Sequence, residues 1–395
     1  MTKRIAIVGA GIAGITTAYY LSKAGYSVSV FEQEPYAAMR TSFANGGQVS
    51  VSNSETWTTW SNVKKGIKWM FTKDAPLLIR PRLDFKQWKW MAKFLWHTFN
   101  LEYHKNTAAT IKMGLESRKL YDEICHDEGI EHSTFDRRDA GIVHFYKDHS
   151  YWKNAQQATD MYNRNGLDRK VVPADKLTEL DPALADIQGV VGATLTPSDW
   201  TGDIHKFVYN LADKLKADYG VEFHYNWKIN HVEELSFFDA IVITNGVGSR
   251  LLAQTAGDSI DVYPVKGYSI TINNVDSKYL PRVSLLDDQA KIVTSSLGNR
   301  FRVAGTAELT GENYDIRRDR IEPLLKWVHT NFPNINTHDY SSWACLRPMT
   351  PNMMPIIKQS DNSSKVFYNT GHGHLGWTLA PVTASMVVEI IKNKI

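Results

Sequence analysis

The stretch Ile5-Ala6-Ile7-Val8-Gly9-Ala10-Gly11-Ile12-Ala13-Gly14, with Glu32 following 18 residues after its last glycine, decides the fold. The apolar run reads as a buried parallel strand. The glycines follow at once: Gly9 for the tight turn, Gly11 for backbone approach to a pyrophosphate, Gly14 for helix-on-strand packing. Residues 15–24 carry Ala18 and Leu21 at helical spacing and stop at Gly25. Val28-Ser29-Val30-Phe31 is a second strand, and Glu32 at its end sits where an acid binds ribose hydroxyls. A carboxylate there repels a 2′-phosphate, which disfavours NADP. A second glycine run, Gly371-His372-Gly373-His374-Leu375-Gly376, begins 24 residues before the C-terminus. Two such motifs at opposite ends of a chain suggest a long dinucleotide held along its length, which favours FAD over NAD.

At 395 residues the chain suits two domains. A net charge of +3 gives no sign of a nucleic-acid partner. Cys125 and Cys345 cannot build a disulfide framework and lack metal-site spacing, so no metal is expected and a reducing compartment fits. No signal-peptide pattern and no apolar run of about 18 residues appears. The expected location is cytoplasmic, with peripheral contact on the inner face of a membrane as an addition.

That addition comes from residues 57–99. Half of the 12 tryptophans fall there (Trp57, Trp60, Trp69, Trp88, Trp90 and Trp96), among nine Lys/Arg and only Asp74 and Asp84 as acids. Phe85, Trp88, Met91, Ala92, Leu95 and Phe99 share one helical face, while Lys86, Lys89, Lys93 and His97 run down another. Such a helix packs on a core with its lysine stems snorkelling, or lies in a membrane interface.

No repeat, low-complexity segment or clean linker divides the chain, so the domains are expected to interleave. Residues 76–184 read as mostly helical with a strand at 141–146. A helix over 203–217 starts on Asp203, strands are expected at 221–225 and 238–246, residues 261–310 read as β-rich, and a short helix covers 321–331.

By this point the chain resembles a known family. The N-terminal fingerprint, Thr41-Ser42-Phe43-Ala44-Asn45-Gly46-Gly47-Gln48, Pro264-Val265-Lys266-Gly267-Tyr268-Ser269, Val303-Ala304-Gly305-Thr306-Ala307-Glu308, Leu346-Arg347-Pro348-Met349-Thr350-Pro351-Asn352 and the C-terminal glycine run stand in the family's order. Together they look like the FAD-dependent D-amino acid oxidase superfamily. Arg80-Pro81-Arg82-Leu83-Asp84 and the stretch from Gly373 to Thr378 favour its branch of bacterial D-amino acid dehydrogenase catalytic subunits. His372, His374 and Pro381 depart from that branch.

The resemblance implies an α/β plus α+β architecture: a Rossmann-like FAD-binding domain (residues 1–75, 185–258 and 345–395) and an interleaved substrate domain on an antiparallel sheet (76–184 and 259–344). Gly9, Gly11, Ile12, Ala13 and Gly14 would take the diphosphate, with Glu32 and Gln33 at the adenosine ribose. Arg40, Thr41, Ser42, Asn45, Gly46 and Gln48 would lie along the diphosphate, ribitol and flavin. Ile229 would touch adenine, and Thr244, Asn245 and Gly246 would cross the cofactor. Gly371, His372, Gly373, His374, Leu375, Gly376, Trp377 and Thr378 would pass the flavin pyrimidine edge.

The implied reaction is oxidative deamination of D-amino acids to 2-oxo acids and ammonia. A hydride passes from the substrate Cα to flavin N5, and electrons go on to a quinone or other carrier. The alternative is an oxygen-using oxidase of glycine, secondary or modified amines; a third reading gives FAD a purely structural role. Arg347 is the candidate for the substrate carboxylate, since a guanidinium makes a planar two-point contact, unless it pairs with Asp181 or Asp199 instead. Tyr268 is the second candidate, for a hydrogen bond to that carboxylate or cover over the ring, against a plain interior aromatic. His372 and His374 can tune the flavin or act as a base, or merely position backbone. Cys345, two residues before Arg347, is near where related oxidases bond flavin covalently; a buried inert thiol and non-covalent FAD are the expectation.

Overall fold

The computed structural model describes residues 2–70 and 76–395; Asp74 and the expected boundary after residue 75 lie outside the described residues. Two sheets organise the chain. The first has six strands in the order Ile356–Gln359, Val366–Thr370, Ala240–Ile243, Arg4–Val8, Ser27–Phe31, Glu222–His224. All pairings are parallel except that of the edge strand Ile356–Gln359. Helix Ile12–Lys23 begins four residues after Arg4–Val8 ends and packs beside Gly376–Lys392, the last helix. Ile5, Ile7, Val28 and Val30 face these helices and Ile204–Asp218, while Ala6, Val8, Ile241 and Ile243 face Val232, Leu235 and Leu252 on the other side. Burial on both faces is why these strands lack polar alternation.

The second sheet has nine strands, mostly antiparallel. The order is Tyr340–Met349, Tyr263–Ile272, Arg300–Leu309, Ile292–Leu297, Ser284–Asp287, Ile142–Tyr146, Gly192–Thr196, Lys170–Val172, with Leu77–Ile79 pairing onto Arg300–Leu309. Helix Arg318–Asn331 covers one face through Ile321, Leu324 and Val328. The other face looks toward the six-stranded sheet and roofs a cavity between the two.

Interleaving holds, with shifted boundaries. Gly192–Thr196 and Tyr340–Met349 belong to the nine-stranded sheet, so the stretches 185–258 and 345–395 are not purely cofactor-side. The reason is pairing: Tyr340–Met349 runs in register along all of Tyr263–Ile272. Residues 76–184 also contribute three strands, where helix with one strand was expected.

The helix expected from Asp203 spans Ile204–Asp218. The Asp203 carboxylate accepts from the His205 and Lys206 amides, a cap that contributes about 1 kcal/mol. Its other oxygen accepts from Arg300 Nη2 at 2.8 Å, tying the helix to the nine-stranded sheet.

Helix Phe85–Phe99 starts on Asp84, whose side chain accepts from the Lys86 amide. It does not bury the face that the apolar pattern marks. Gln87, Trp90 and Thr98 are its buried residues, whereas Phe85 is 80% exposed, Phe99 71% and Trp96 66%. Gln87 points inward because its amide donates to the Arg80 and Leu309 carbonyls. Gly373–Lys392, by contrast, is among the described residues the one helical stretch long and apolar enough to cross a membrane; two-thirds of it is buried, as befits a core helix.

Candidate active site

One cavity of about 1310 Å³ runs between the sheets. Of the residues expected around cofactor and substrate, all but Gly14 and Gly371 line it. Its narrow arm follows the ends of the parallel strands, where an open α/β sheet binds ligands. Gly9 has φ +106°, and a Cβ there would lie 2.8 Å from Asn245 Cα. A Cβ on Gly14 would collide with the Gly9 carbonyl, so helix Ile12–Lys23 can sit this close only on glycine. A Cβ on Gly11 would meet nothing nearer than Ser42 Oγ at 3.4 Å, and Gly246 faces open space. That room suits a pyrophosphate against the helix N-terminus.

Glu32 is oriented for its task. One oxygen accepts from the Ala10 amide at 2.7 Å and the other from the Glu34 amide at 3.0 Å. Burial still pushes its carboxyl above the usual range, and the amides only partly counter this. Both oxygens keep lone pairs for ribose hydroxyls. Ile229 is buried in the same arm. Thr244 plays a different part: its hydroxyl donates to the Val8 and Gly9 carbonyls, locking two strands together. Arg40 pairs with Glu34 and lies 4.7 Å from the Tyr314 ring centre. The Gln48 amide donates to Ser284 Oγ at 2.7 Å, joining the two domains across the cavity.

At the wider end, helix Gly376–Lys392 points its N-terminus into the cavity through Gly376, Trp377 and Thr378. The first-turn amides lack intrahelical acceptors and carry partial positive charge. His372 borders this space, but its ring is engaged elsewhere. Its Nε2 bonds Thr383 Oγ1 at 2.9 Å inside the last helix, and burial pulls its pKa down to about 4. His374 does face it: Nε2–H donates to the Asn53 carbonyl at 3.2 Å, the ring stacks on Trp57 at 4.9 Å, and Nδ1 has no partner. Burial again pulls the pKa to about 4, and nearby Arg347 adds to that.

Arg347 is the unusual group. It shares a strand face with Cys345 and Met349, walled by Gly267 across the pair. A Cβ at Gly267 would lie 2.5 Å from Arg347 Cζ, so the guanidinium needs glycine there. Among the described residues its one hydrogen bond runs from Nη1 to the Thr306 carbonyl at 3.2 Å. Thr306 holds φ +56°, a strained setting for a β-branched residue, which aims that carbonyl. No carboxylate pairs with Arg347 among the described residues, and burial alone pulls its pKa to about 10. Asp199 instead binds Arg118 and the Val51 and Ser52 amides, and Asp181 caps the Arg282 and Val283 amides. A part-buried guanidinium bordering a cavity, with no carboxylate partner among the described residues, suits an anion from outside.

Tyr268 borders the cavity, with its hydroxyl already engaged. Its hydroxyl donates to Glu308 Oε2 at 3.1 Å, in a cluster with Arg317 and Arg320, and its ring packs in the nine-stranded sheet's core. The hydroxyl is therefore spent away from any substrate carboxylate. The Cys345 thiol lies 3.4 Å from Thr41 Oγ1, and burial raises its pKa, which disfavours a nucleophilic thiolate.

Sequence reading missed the polar far end of the cavity. Glu55, bonded by the Tyr103 hydroxyl, faces it with its carboxyl pushed up by burial. Arg169 donates to Thr194 Oγ1 and the Tyr146 hydroxyl, each at 3.0 Å. His144 Nε2 bonds Ser52 Oγ at 3.0 Å, and burial holds it well below the ordinary histidine range.

A glycine-lined arm for a dinucleotide leading to an unpaired cation beneath a second sheet defines a flavin-dependent oxidoreductase. The family model described as "DAO: FAD dependent oxidoreductase" matches residues 4–390, and the chain belongs to that family. It is 45% identical, over 98% of its length and 97% of the relative's, to D-amino acid dehydrogenase 3 of Mesorhizobium japonicum. It is 37% identical to D-amino acid dehydrogenase of Dechloromonas aromatica, over 99% of this chain and 97% of that one. Among solved structures, glycine oxidase from Geobacillus kaustophilus shares the fold at a TM-score of 0.76 and 18% identity, covering 100% of this chain and 96% of the other.

Proposed function

We propose that the chain oxidises D-amino acids to 2-oxo acids and passes the electrons to a quinone or other carrier. The observation that carries this is Arg347, a part-buried guanidinium with room for a two-point carboxylate contact and no acid partner among the described residues. FAD, when bound, supplies the redox chemistry by accepting a hydride from the substrate Cα. The protein's share is placement. Arg347 fixes the carboxylate, and His374, neutral above about pH 4, adds no second cation beside it. The N-terminus of Gly376–Lys392 favours negative charge at the ring's edge. The D-configuration rests on the two relatives named above. The imine product leaves and hydrolyses in water.

Peripheral membrane contact belongs to the same proposal. Among the described residues, nine of the twenty exposed large apolar side chains fall between Trp60 and Leu101, and the exposed cations Lys64, Arg80, Lys86 and Lys105 flank them. A basic apolar surface of this kind suits an anionic lipid interface.

The test is anaerobic bleaching of the flavin near 450 nm with D- and L-amino acids, glycine and N-methyl amino acids. Fast bleaching by D-enantiomers alone is expected. Bleaching by glycine or N-methyl amino acids instead, with rapid peroxide formation in air, moves the chain to an amine oxidase; no bleaching by any of them removes the proposal.

A further inference from the structure

The exposed apolar surface does not stop at the protein's skin. The cavity that holds Arg347 and His374 extends outward between three elements: helix Trp60–Trp69, strand Leu77–Ile79 and helix Phe85–Phe99. Its walls there are Ile67, Leu77, Ile79, Met91, Phe94 and Leu95. Helix Trp60–Trp69 acts as a divider. Ser61, Asn62 and Lys65 lie within one arc of it, and Lys65 Nζ stands 4.2 Å from the ring centre of Tyr151 across the cavity. Val63, Ile67 and Met70 occupy the opposite arc, on the side that meets Leu77–Ile79.

The two sides therefore offer two chemistries. A zwitterionic amino acid loses hydration in an apolar cleft without hydrogen-bond compensation, so the polar side is its route. The apolar side suits a molecule with a long hydrocarbon chain. Its inner end packs onto Met349 and Val265. Met349 follows Arg347 by two on the same strand, so the cleft ends beside the substrate site. Its outer end reaches Leu95, next along the helix to the exposed Trp96 and on the same helix as the exposed Phe99, the surface read above as membrane-facing.

We propose that this cleft is the binding channel of a prenylated quinone entering from the lipid. This rests on the carrier-linked reading of the protein and goes beyond it by giving the quinone a site and a route of entry. The quinone takes two electrons and two protons from reduced FAD; quinol and oxidised FAD result, and no further oxidant is required. A mixture of aromatic and flexible methionine walls accommodates such a chain without fixed polar partners.

The experiment photolabels the wild-type, FAD-loaded protein in anionic vesicles with an azido-benzoquinone carrying a ten-carbon tail. Label is expected in residues 60–70 or 77–99 and is suppressed by the unmodified quinone. Label confined to other segments overturns the channel. In parallel, Met91→Trp fills the cleft, and the ratio of quinone turnover to turnover with a water-soluble dye is expected to fall by about tenfold or more. An unchanged ratio overturns the channel as well, and if Met91→Trp does not fold, the wild-type label decides. Bleaching by D-amino acids is read separately: its absence removes the proposed reaction, whereas intact bleaching with failed labelling removes only the channel.

Discussion

Replacing Arg347 by methionine should push activity and stability in different directions. The guanidinium is offered to the substrate for two charge-assisted hydrogen bonds, each contributing about 1.5–3 kcal/mol. Losing both removes about 3–6 kcal/mol, so kcat/KM falls by about 10² to 10⁴. Arg347→Lys keeps the charge and one contact, and should fall by about 10- to 100-fold. Stability behaves otherwise, because the free site buries a cation with no carboxylate partner. Burial pulls Arg347 down to about 10, which disfavours its charged form by about 3 kcal/mol. Water in the cavity reduces that to about 1–2 kcal/mol. The lost bond to the Thr306 carbonyl offsets about 1 kcal/mol. Methionine is unbranched and fills the same stem path without strain. The FAD-loaded, substrate-free variant should thus melt between its parent's midpoint and about 4 °C above it. Steady-state kinetics with a dye acceptor and thermal unfolding followed by flavin fluorescence read the two quantities. Less than a tenfold loss in kcat/KM would refute the carboxylate role, and a midpoint lower by several degrees would refute the unpaired state of Arg347.

Four further outcomes are expected. His372 and His374 are held at about 4 against an ordinary 6.5, so the unfolded chain binds their protons first as pH falls. Their contribution to stability is complete above about pH 6.5 and is lost toward pH 4, and His374→Asn should flatten that slope in pH-dependent melts. Glu32→Gln removes a charged acceptor for the ribose and should weaken FAD retention by about 10- to 100-fold, read by flavin fluorescence on dilution. Acid precipitation should leave all yellow colour in the supernatant, and Cys345→Ser should retain a full complement of FAD; colour in the pellet would show a covalent bond. Trp96→Ser combined with Phe99→Ser removes two exposed aromatics, each able to contribute about 1.5–3 kcal/mol on insertion, and should weaken sedimentation with anionic vesicles by at least about tenfold; unaltered sedimentation would place membrane contact elsewhere.

The nucleotide arm was legible because its chemistry is local. Strand, glycine turn, helix and Glu32 follow one another, and every geometric demand (the φ of Gly9, the missing Cβ of Gly14) falls on a residue within that stretch or just across from it. The Asp203 cap was legible for the same reason. Where periodicity was the guide, it misled once: the apolar stripe of Phe85–Phe99 matched a core-facing helix, but the buried place is taken by Gln87, which satisfies two carbonyls left open by neighbouring segments. For Tyr268, strand alternation could not say which acid waits on the inner side; Glu308 does. The polar end of the cavity assembles from residues as far apart as Glu55, His144 and Arg169, and no spacing links them. One signal was present and unread: Asn53, Glu55, Trp57 and Thr59 are partly exposed while Ser52, Ser54, Thr56 and Thr58 are buried, a period of two that passes along the cavity.

The six-stranded sheet has a consequence for how the protein is made. Its central strand, Arg4–Val8, pairs with Ala240–Ile243, which in turn pairs with Val366–Thr370, and helix Gly376–Lys392 then closes over Ile12–Lys23. A segment made early thus waits for segments made more than two and three hundred residues later before its sheet is whole. During that interval, Arg4–Val8 and Ser27–Phe31 offer apolar, unpaired edges to any other nascent chain. Synthesis rate, chaperone supply and early availability of FAD should therefore govern the yield of active protein more than the stability of the finished fold.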